Sequence, residues 1–249
     1  MDKVLMRMPD DLEFFLPATS VAQNYISQQY FQWHSKTKQQ EPYFTIEIGE
    51  DSLLYLNSMF PRMEFIMREQ ELVDRFAYDC VIDFRDIKRV MNVAKSTQKH
   101  ITEAWSAMFG ASAPKLPVLG PIVATCQNPK YDFLIDASLP FAEELHHDIT
   151  VKYIEWYLTA KVVEMKGKRI YHQFEHMADS KVYVGWRSGA SYLASLLQRG
   201  CVEIWPRTIP YWFLDKPKTD GQRVIIGDNP SKEMVLDQMK SLLSITKAA

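Results

Sequence analysis

The pattern richest in chemistry lies between Lys181 and Pro206, KVYVGWRSGASYLASLLQRGCVEIWP. Val182 and Val184 alternate into Trp186, Arg187-Ser188-Gly189 makes a compact turn, and Tyr192, Leu193, Leu196 and Leu197 recur at helical spacing until Gly200 stops them. Cys201 to Ile204 reads as a returning strand. A turn that follows the carboxyl end of a buried strand and opens a helix presents N–H groups with no partner inside the helix, and such groups attract phosphate. The residues that would surround an anionic ligand there are Arg187, Ser188, Gly189, Ala190, Ser191 and Tyr192. A Ser-Gly pair before a helix also serves as a cap and nothing more.

A second loop, Met8 to Ala18 (MPDDLEFFLPA), follows the first apolar run and carries adjacent carboxylates, Asp10 and Asp11. Either acid also stands where the N-cap of the next helix belongs. Arg7, Asp10 and His172 are further candidate contacts for a phosphate or an acceptor. His172 and His176 share one face of a short helix beside Lys166, Lys168 and Arg169, which fits a phosphate contact and equally a solvated helix surface. His146 and His147 are adjacent and so do not share a helix face. Trp205, Pro206 and Tyr211-Trp212-Phe213 follow the last core strand, where rings can stack on a base or a sugar or belong to the core. Cys80, Cys126 and Cys201 are far apart, and no Asp-x-Asp pair occurs, so neither a zinc site nor any other metal or cofactor is expected.

The elements that must position these residues alternate in type. Val4 to Met8, Tyr43 to Ile48, Met63 to Met67 and Asp79 to Phe84 read as strands. Between and after them come helical patterns through Ala18 to Ile26, Ser52 to Ser58, Ile87 to Lys95 and Thr102 to Phe109. Gly110 to Gly120 (GASAPKLPVLG) concentrates glycine and proline and reads as a linker, so the chain is expected to divide into domains 1–115 and 118–249. The second half repeats the alternation. Its strand Asp132 to Asp136 is followed by a helix from about Phe141 to Ala160, a strand Val162 to Met165, a helix Tyr171 to Ala178, and then the strand-turn-helix-strand above. Asn229-Pro230-Ser231 starts a final helix striped by Val235, Leu236, Met239, Leu242 and Leu243. Strands alternating with helices require crossovers, which implies an α/β chain with largely parallel sheets. Two such halves would set their loops face to face across a cleft.

With 249 residues, 47% of them hydrophobic, the chain can bury one sizeable core or two modest ones. Lysine and arginine number 29 against 31 acids, which excludes a polycationic tail that would hold nucleic acid without specificity. Acids interrupt the start, MDKVLMRMPDDLEFF, where a signal peptide needs an apolar core, and no stretch approaches a membrane span. A soluble, cytoplasmic protein with reduced thiols is expected.

The order of the loops resembles a known family, the glycosyltransferases of two-Rossmann-domain (GT-B) type that include the lipopolysaccharide heptosyltransferases. The family's first loop reads Gly-Asp, a short apolar stretch, then Leu-Pro-Ala; here Asp10-Asp11-Leu12-Glu13-Phe14-Phe15-Leu16-Pro17-Ala18 stands in that place. Its later loop reads Asp-Ser-Gly-x-x-His-Leu-Ala, beside Arg187-Ser188-Gly189-Ala190-Ser191-Tyr192-Leu193-Ala194 here. Tyr78-Asp79-Cys80-Val81-Ile82-Asp83-Phe84 is similar to the family's Tyr-Asp strand that ends in Asp. Arg187 replaces the family's acid, Tyr192 its histidine, and Leu139-Pro140-Phe141 stands where its lysine is expected. The resemblance implies an inverting transfer of a sugar from a nucleotide-diphosphate donor to an acceptor hydroxyl, without a metal. It makes Asp11 the base and Arg187 to Tyr192 the donor site, with Arg187 able to bind a pyrophosphate through charge-assisted hydrogen bonds. The acceptor would be a glycan, a lipid-linked sugar or a hydroxylated base of nucleic acid. The departures leave two other functions open, a non-catalytic protein that binds nucleotides or sugar phosphates and a nucleotide-sugar epimerase.

Overall fold

The computed structural model describes residues 2–37, 39–49, 59–60, 63–68, 74–112, 128–207 and 221–246. They fall into two compact units, the first built on one parallel sheet and the second on another. The expected helix 52–58, the junction between 115 and 118, Cys126 and the aromatic run 211–213 lie outside the described residues.

In the first unit β1 (Asp2–Arg7), α1 (Leu12–His34), β2 (Pro42–Ile48), β3 (Glu64–Met67), β4 (Cys80–Asp83), α2 (Ile87–Thr97) and α3 (Ile101–Phe109) follow one another. The strands lie in the order β3-β2-β1-β4 and all pair in parallel. Val4, Leu5 and Met6 are buried in succession, as a central parallel strand covered on both faces requires. Each of these three helices begins on a side-chain cap. Asp11 Oδ1 accepts from the Glu13 N–H at 2.9 Å, Asp86 from Arg89 N–H at 3.2 Å, and His100 Nδ1 from Thr102 N–H at 3.2 Å. Trp105 on α3 is fully buried and meets Phe84, just past β4, edge to face at 5.6 Å.

The second unit runs β5 (Tyr131–Asp136), α4 (Ala142–His147), β6 (Ala160–Val163), α5 (Ile170–Ala178), β7 (Ser180–Trp186), α6 (Gly189–Leu196), β8 (Gly200–Trp205), β9 (Gln222–Ile226) and α7 (Lys232–Thr246). Its strands are parallel in the order β6-β5-β7-β8-β9. The apolar stripe of α7 finds its partner here: Val235, Leu236, Met239 and Leu242 join one core with Val202, Ile204 and Ile225 of the sheet. The side chain of Leu243 lies outside the described residues.

The single long helix expected from Phe141 to Ala160 is not formed. After α4 the chain widens into a π-helical turn, Asp148–Lys152, tightens into a 3-10 turn, Ile154–Trp156, and breaks at Tyr157, whose φ is +51°. The apolar period continues through this stretch, but Ile149, Thr150 and Val151 are β-branched in succession and weaken the helix there. Strand β6 accordingly starts at Ala160, two residues before the expected position. Strand β9 was not anticipated; it adds a fifth strand beside β8.

Gly185 on β7 sits where the core leaves no room for a side chain. A Cβ there would stand 2.3 Å from the hydroxyl oxygen of Tyr183 and 2.9 Å from the Cβ of Asp136. Tyr183 cannot swing away, because it is fully buried and donates its hydroxyl to Asp136 Oδ2 at 2.8 Å. Gly185→Ala is expected to destabilise the protein by about 1–3 kcal/mol through overpacking, read as a lower urea midpoint.

Candidate functional site

In each sheet the strand order reverses direction once, between β1 and β4 in the first unit and between β5 and β7 in the second. The crevice beyond the carboxyl ends of the strands at such a reversal is where open α/β sheets bind ligands. Both loops singled out by the sequence lie at this edge, Met8 to Asp11 following β1 and Arg187-Ser188 following β7.

At the first reversal the neighbouring strands end on opposite charges. The parallel register sets Arg7 beside Glu47 on one side and Asp83 on the other. Arg7 Nε and Nη2 reach the two oxygens of Glu47 at 2.6 and 3.0 Å, and Nη1 reaches Asp83 at 3.0 Å. Arg85 donates to Glu47 at 2.9 Å and grips Asp83 with two nitrogens, each at 3.0 Å. Arg68, just past β3, donates to Glu47 at 3.1 Å and to the Met8 carbonyl at 2.8 Å, and it also pairs with Asp10. Glu47 is 1% exposed and is the shared acceptor of all three guanidinium groups. Burial pushes the Asp83 carboxyl above the usual carboxylate range against the pull of Arg7.

Arg7, expected as a contact for phosphate or acceptor, is therefore turned into this network, and Asp10 is bound to Arg68. Asp11 is exposed at the carboxyl edge of the sheet, and it caps α1, which is one of the two roles expected of it. Glu47, Arg68 and Arg85 were not singled out from the sequence. The available signal was the charge that closes each apolar run, Arg7 after Val4-Leu5-Met6, Glu47 after Phe44-Thr45-Ile46 and Asp83 after Val81-Ile82.

At the second reversal Tyr183 on β7 donates across to Asp136 at the end of β5. Burial and the neighbouring Asp136 charge hold the Tyr183 phenol well above its ordinary range, so it stays a hydrogen-bond donor. A pocket of about 410 Å3 opens past β5, walled by Ser138, Leu139, Phe141, Glu143, Glu144 and Val162 among others. Leu139-Pro140-Phe141, which stands where the family's lysine is expected, thus gives this pocket apolar surface, and α4 adds the carboxylates Glu143 and Glu144.

The turn after β7 is locked from within. The Arg187 side chain is fully buried, its Nη1 is 3.2 Å from Glu203 Oε1, and its guanidinium lies 5.1 Å from the Trp205 ring centre. Ser191 Oγ lies 2.8 Å from the same Glu203 oxygen and accepts from the Ser188 N–H at 3.1 Å. Gly189, Ala190, Ser191 and Tyr192 are all buried, and Ser188 alone of the six candidate donor-site residues is partly exposed. The Ser188 hydroxyl is itself buried although the residue is partly exposed, and Arg187 faces inward. His172 is half exposed, 3.4 Å from Glu175. His176, on the same helix, is held below its ordinary value by burial and then by Lys161 and Lys168. Among the described residues no group of three or more His, Cys, Asp or Glu is placed to hold a metal ion, and no helix is long and apolar enough to cross a membrane.

No protein-family model and no curated protein matches the chain. Solved structures do. Escherichia coli heptosyltransferase WaaC with ADP matches with a TM-score of 0.57 at 13% identity, over 98% of this chain and 99% of that one. The same enzyme with ADP-2-deoxy-2-fluoro heptose gives 0.55 at 13% identity, again over 98% and 99%. The iron-containing dodecameric glycosyltransferase TibC from enterotoxigenic E. coli gives 0.54 at 12% identity, over 88% of this chain and 62% of that one. At such identities the agreement is one of fold, and the fold is that of heptosyltransferase-like glycosyltransferases.

Proposed function

We propose that the chain is a glycosyltransferase of the GT-B type, transferring a sugar with inversion from a nucleotide-diphosphate sugar to an acceptor hydroxyl. The first unit, residues 1–115, would serve the acceptor and the second, residues 118–249, the donor. The observation that supports this reading best is the position of Asp11: an exposed carboxylate on the loop that leaves β1, at the strand-order reversal of the first sheet. A carboxylate at that place can accept a proton from an attacking hydroxyl. As the acceptor oxygen bonds to the anomeric carbon, its proton passes to Asp11. The bond from that carbon to the donor's diphosphate breaks, and the electron pair leaves with the diphosphate. The backbone N–H groups at the start of α6, with Ser188, would receive that charge. The acceptor would be a glycan, a lipid-linked sugar or a hydroxylated nucleic-acid base, met in the cytoplasm.

The deciding experiment presents the purified chain with a panel of nucleotide-diphosphate sugars, with and without acceptors, and follows release of the nucleoside diphosphate. Acceptor-dependent release supports the transferase; product formed without any acceptor would instead indicate an epimerase. Exhaustive chelation is expected to leave turnover within about twofold of the untreated enzyme, because the proposed chemistry stabilises the leaving group with backbone dipoles. Loss of turnover on chelation and its return with added iron would overturn that part of the reading.

A second reading is favoured by one observation. The two positions at which the chain departs from the heptosyltransferase loop, Arg187 and Tyr192, are both buried, as a protein that binds nucleotides or sugar phosphates without turnover could tolerate. A raised unfolding temperature with a nucleotide, without transfer or hydrolysis, would select it.

A further inference from the structure

The loop that carries Asp11 is short, and the paired part of β1 closes with the Arg7 carbonyl accepting from Phe84 N–H at 3.0 Å. Met8 N–H still donates to Glu47 O at 2.9 Å, but beyond it the chain turns from strand to helix within Pro9, Asp10 and Asp11. Arg68 braces this turn. Its Nη2 donates to the Met8 carbonyl at 2.8 Å, its Nη1 pairs with the Asp10 carboxylate, and its Nε donates to Glu47 at 3.1 Å. Its own backbone N–H donates to Ile48 O at 2.9 Å and so extends the β2–β3 ladder by one bond. A planar guanidinium with five donors can hold three acceptors in fixed directions at once; an ammonium on a flexible stem cannot. The Arg68 side chain is three-quarters buried, so this fork is sheltered from water.

We infer that Arg68 is a positioning residue for the proposed transfer, holding the Met8–Asp11 loop so that the Asp11 carboxylate stands where the acceptor hydroxyl is deprotonated. The inference rests on the role proposed for Asp11. A base misplaced by an ångström loses rate while the donor still binds, so the expected signature is a fall in kcat and little change in donor KM.

The test compares the wild-type chain with Arg68→Lys, Asp10→Asn, Asp11→Asn and the Arg68→Lys/Asp11→Asn pair in one transfer assay, with unfolding temperatures alongside. Arg68→Lys keeps the charge and loses the fork; kcat is expected to fall roughly 10- to 100-fold with donor KM within about twofold. Asp10→Asn weakens one contact and leaves the other two in place, and a fall of about 3- to 10-fold is expected. In the Asp11→Asn background, Arg68→Lys is expected to cost less than about twofold more, since a residue that acts through Asp11 has nothing left to position. Unchanged kcat in Arg68→Lys, or the same loss in both backgrounds, would overturn the inference and leave the role of Asp11 standing. Wild-type turnover by Asp11→Asn would remove the base and the inference together. Should Arg68→Lys not fold, Asp10→Asn and its pairing with Asp11→Asn decide in the same way.

Discussion

Asp11→Asn is expected to lower the transfer rate by about 10²- to 10⁴-fold while leaving the unfolding midpoint nearly unchanged. The substitution separates the cap that Asp11 forms from the base that we propose it to be. Asp11 caps α1 by accepting from the Glu13 N–H, and asparagine caps a helix about as well as aspartate. A neutral amide cannot take a proton from an attacking hydroxyl. Asp11→Asn therefore removes the base and keeps the cap, whereas Asp11→Ala removes both and should cost a further ~0.5–2 kcal/mol of stability. If Asp11→Asn transfers sugar at the wild-type rate and Asp11→Ala is merely less stable, the residue is a cap and the proposed mechanism loses its base. Steady-state turnover with thermal unfolding of both variants settles the matter.

The second large effect belongs to Glu47. Glu47→Gln keeps the shape of the side chain and deletes the negative charge that Arg7, Arg68 and Arg85 share. Glu47 is 1% exposed, so water cannot replace what is lost. Removing one partner from a buried ionic set typically costs ~3–5 kcal/mol, because the remaining charges stay desolvated without compensation. That corresponds to a fall of roughly 6–20 °C in the unfolding midpoint for a chain of this size. The exposed pair Lys130–Asp179 provides the control. Its partners are 68% and 34% exposed, and Asp179→Asn is expected to change stability by no more than about 1 kcal/mol. Equal effects of the two substitutions would show that the network at the edge of the first sheet is no stronger than a surface pair.

The alternation of strands and helices was legible because parallel strands are buried on both faces and announce themselves as continuous apolar runs, Val4-Leu5-Met6 and Phe133-Leu134-Ile135 among them. The start of α1 was legible because Asp11 stands where its cap belongs. The course of the chain after α4 was not. Its hydrophobic spacing continues through Ile149, Tyr153 and Ile154, while the actual path depends on local winding and on contacts from distant sequence, such as the Asp132–Thr159 bonds that fix the start of β6. The position of the Arg187 turn was legible, but its inward orientation was not. Nothing in Arg187-Ser188-Gly189 tells that Glu203, one strand away, waits beneath it with an oxygen already bound to Ser191. The ionic set around Glu47 was hidden for the same reason, since its three arginines lie 21 to 40 residues from Glu47 and only the register of four strands brings them together.

That ionic set also bears on the acceptor proposed for the first unit. Arg7, Arg68 and Arg85 are cations by sequence, yet each is already neutralised by Glu47, Asp83 or Asp10. A cation bound to a carboxylate holds no phosphate of a polyanion, so these three release no condensed counterions when one approaches. Under the proposed transfer, an acceptor on this edge would be selected by its hydroxyl groups and its shape, and its binding would depend little on ionic strength.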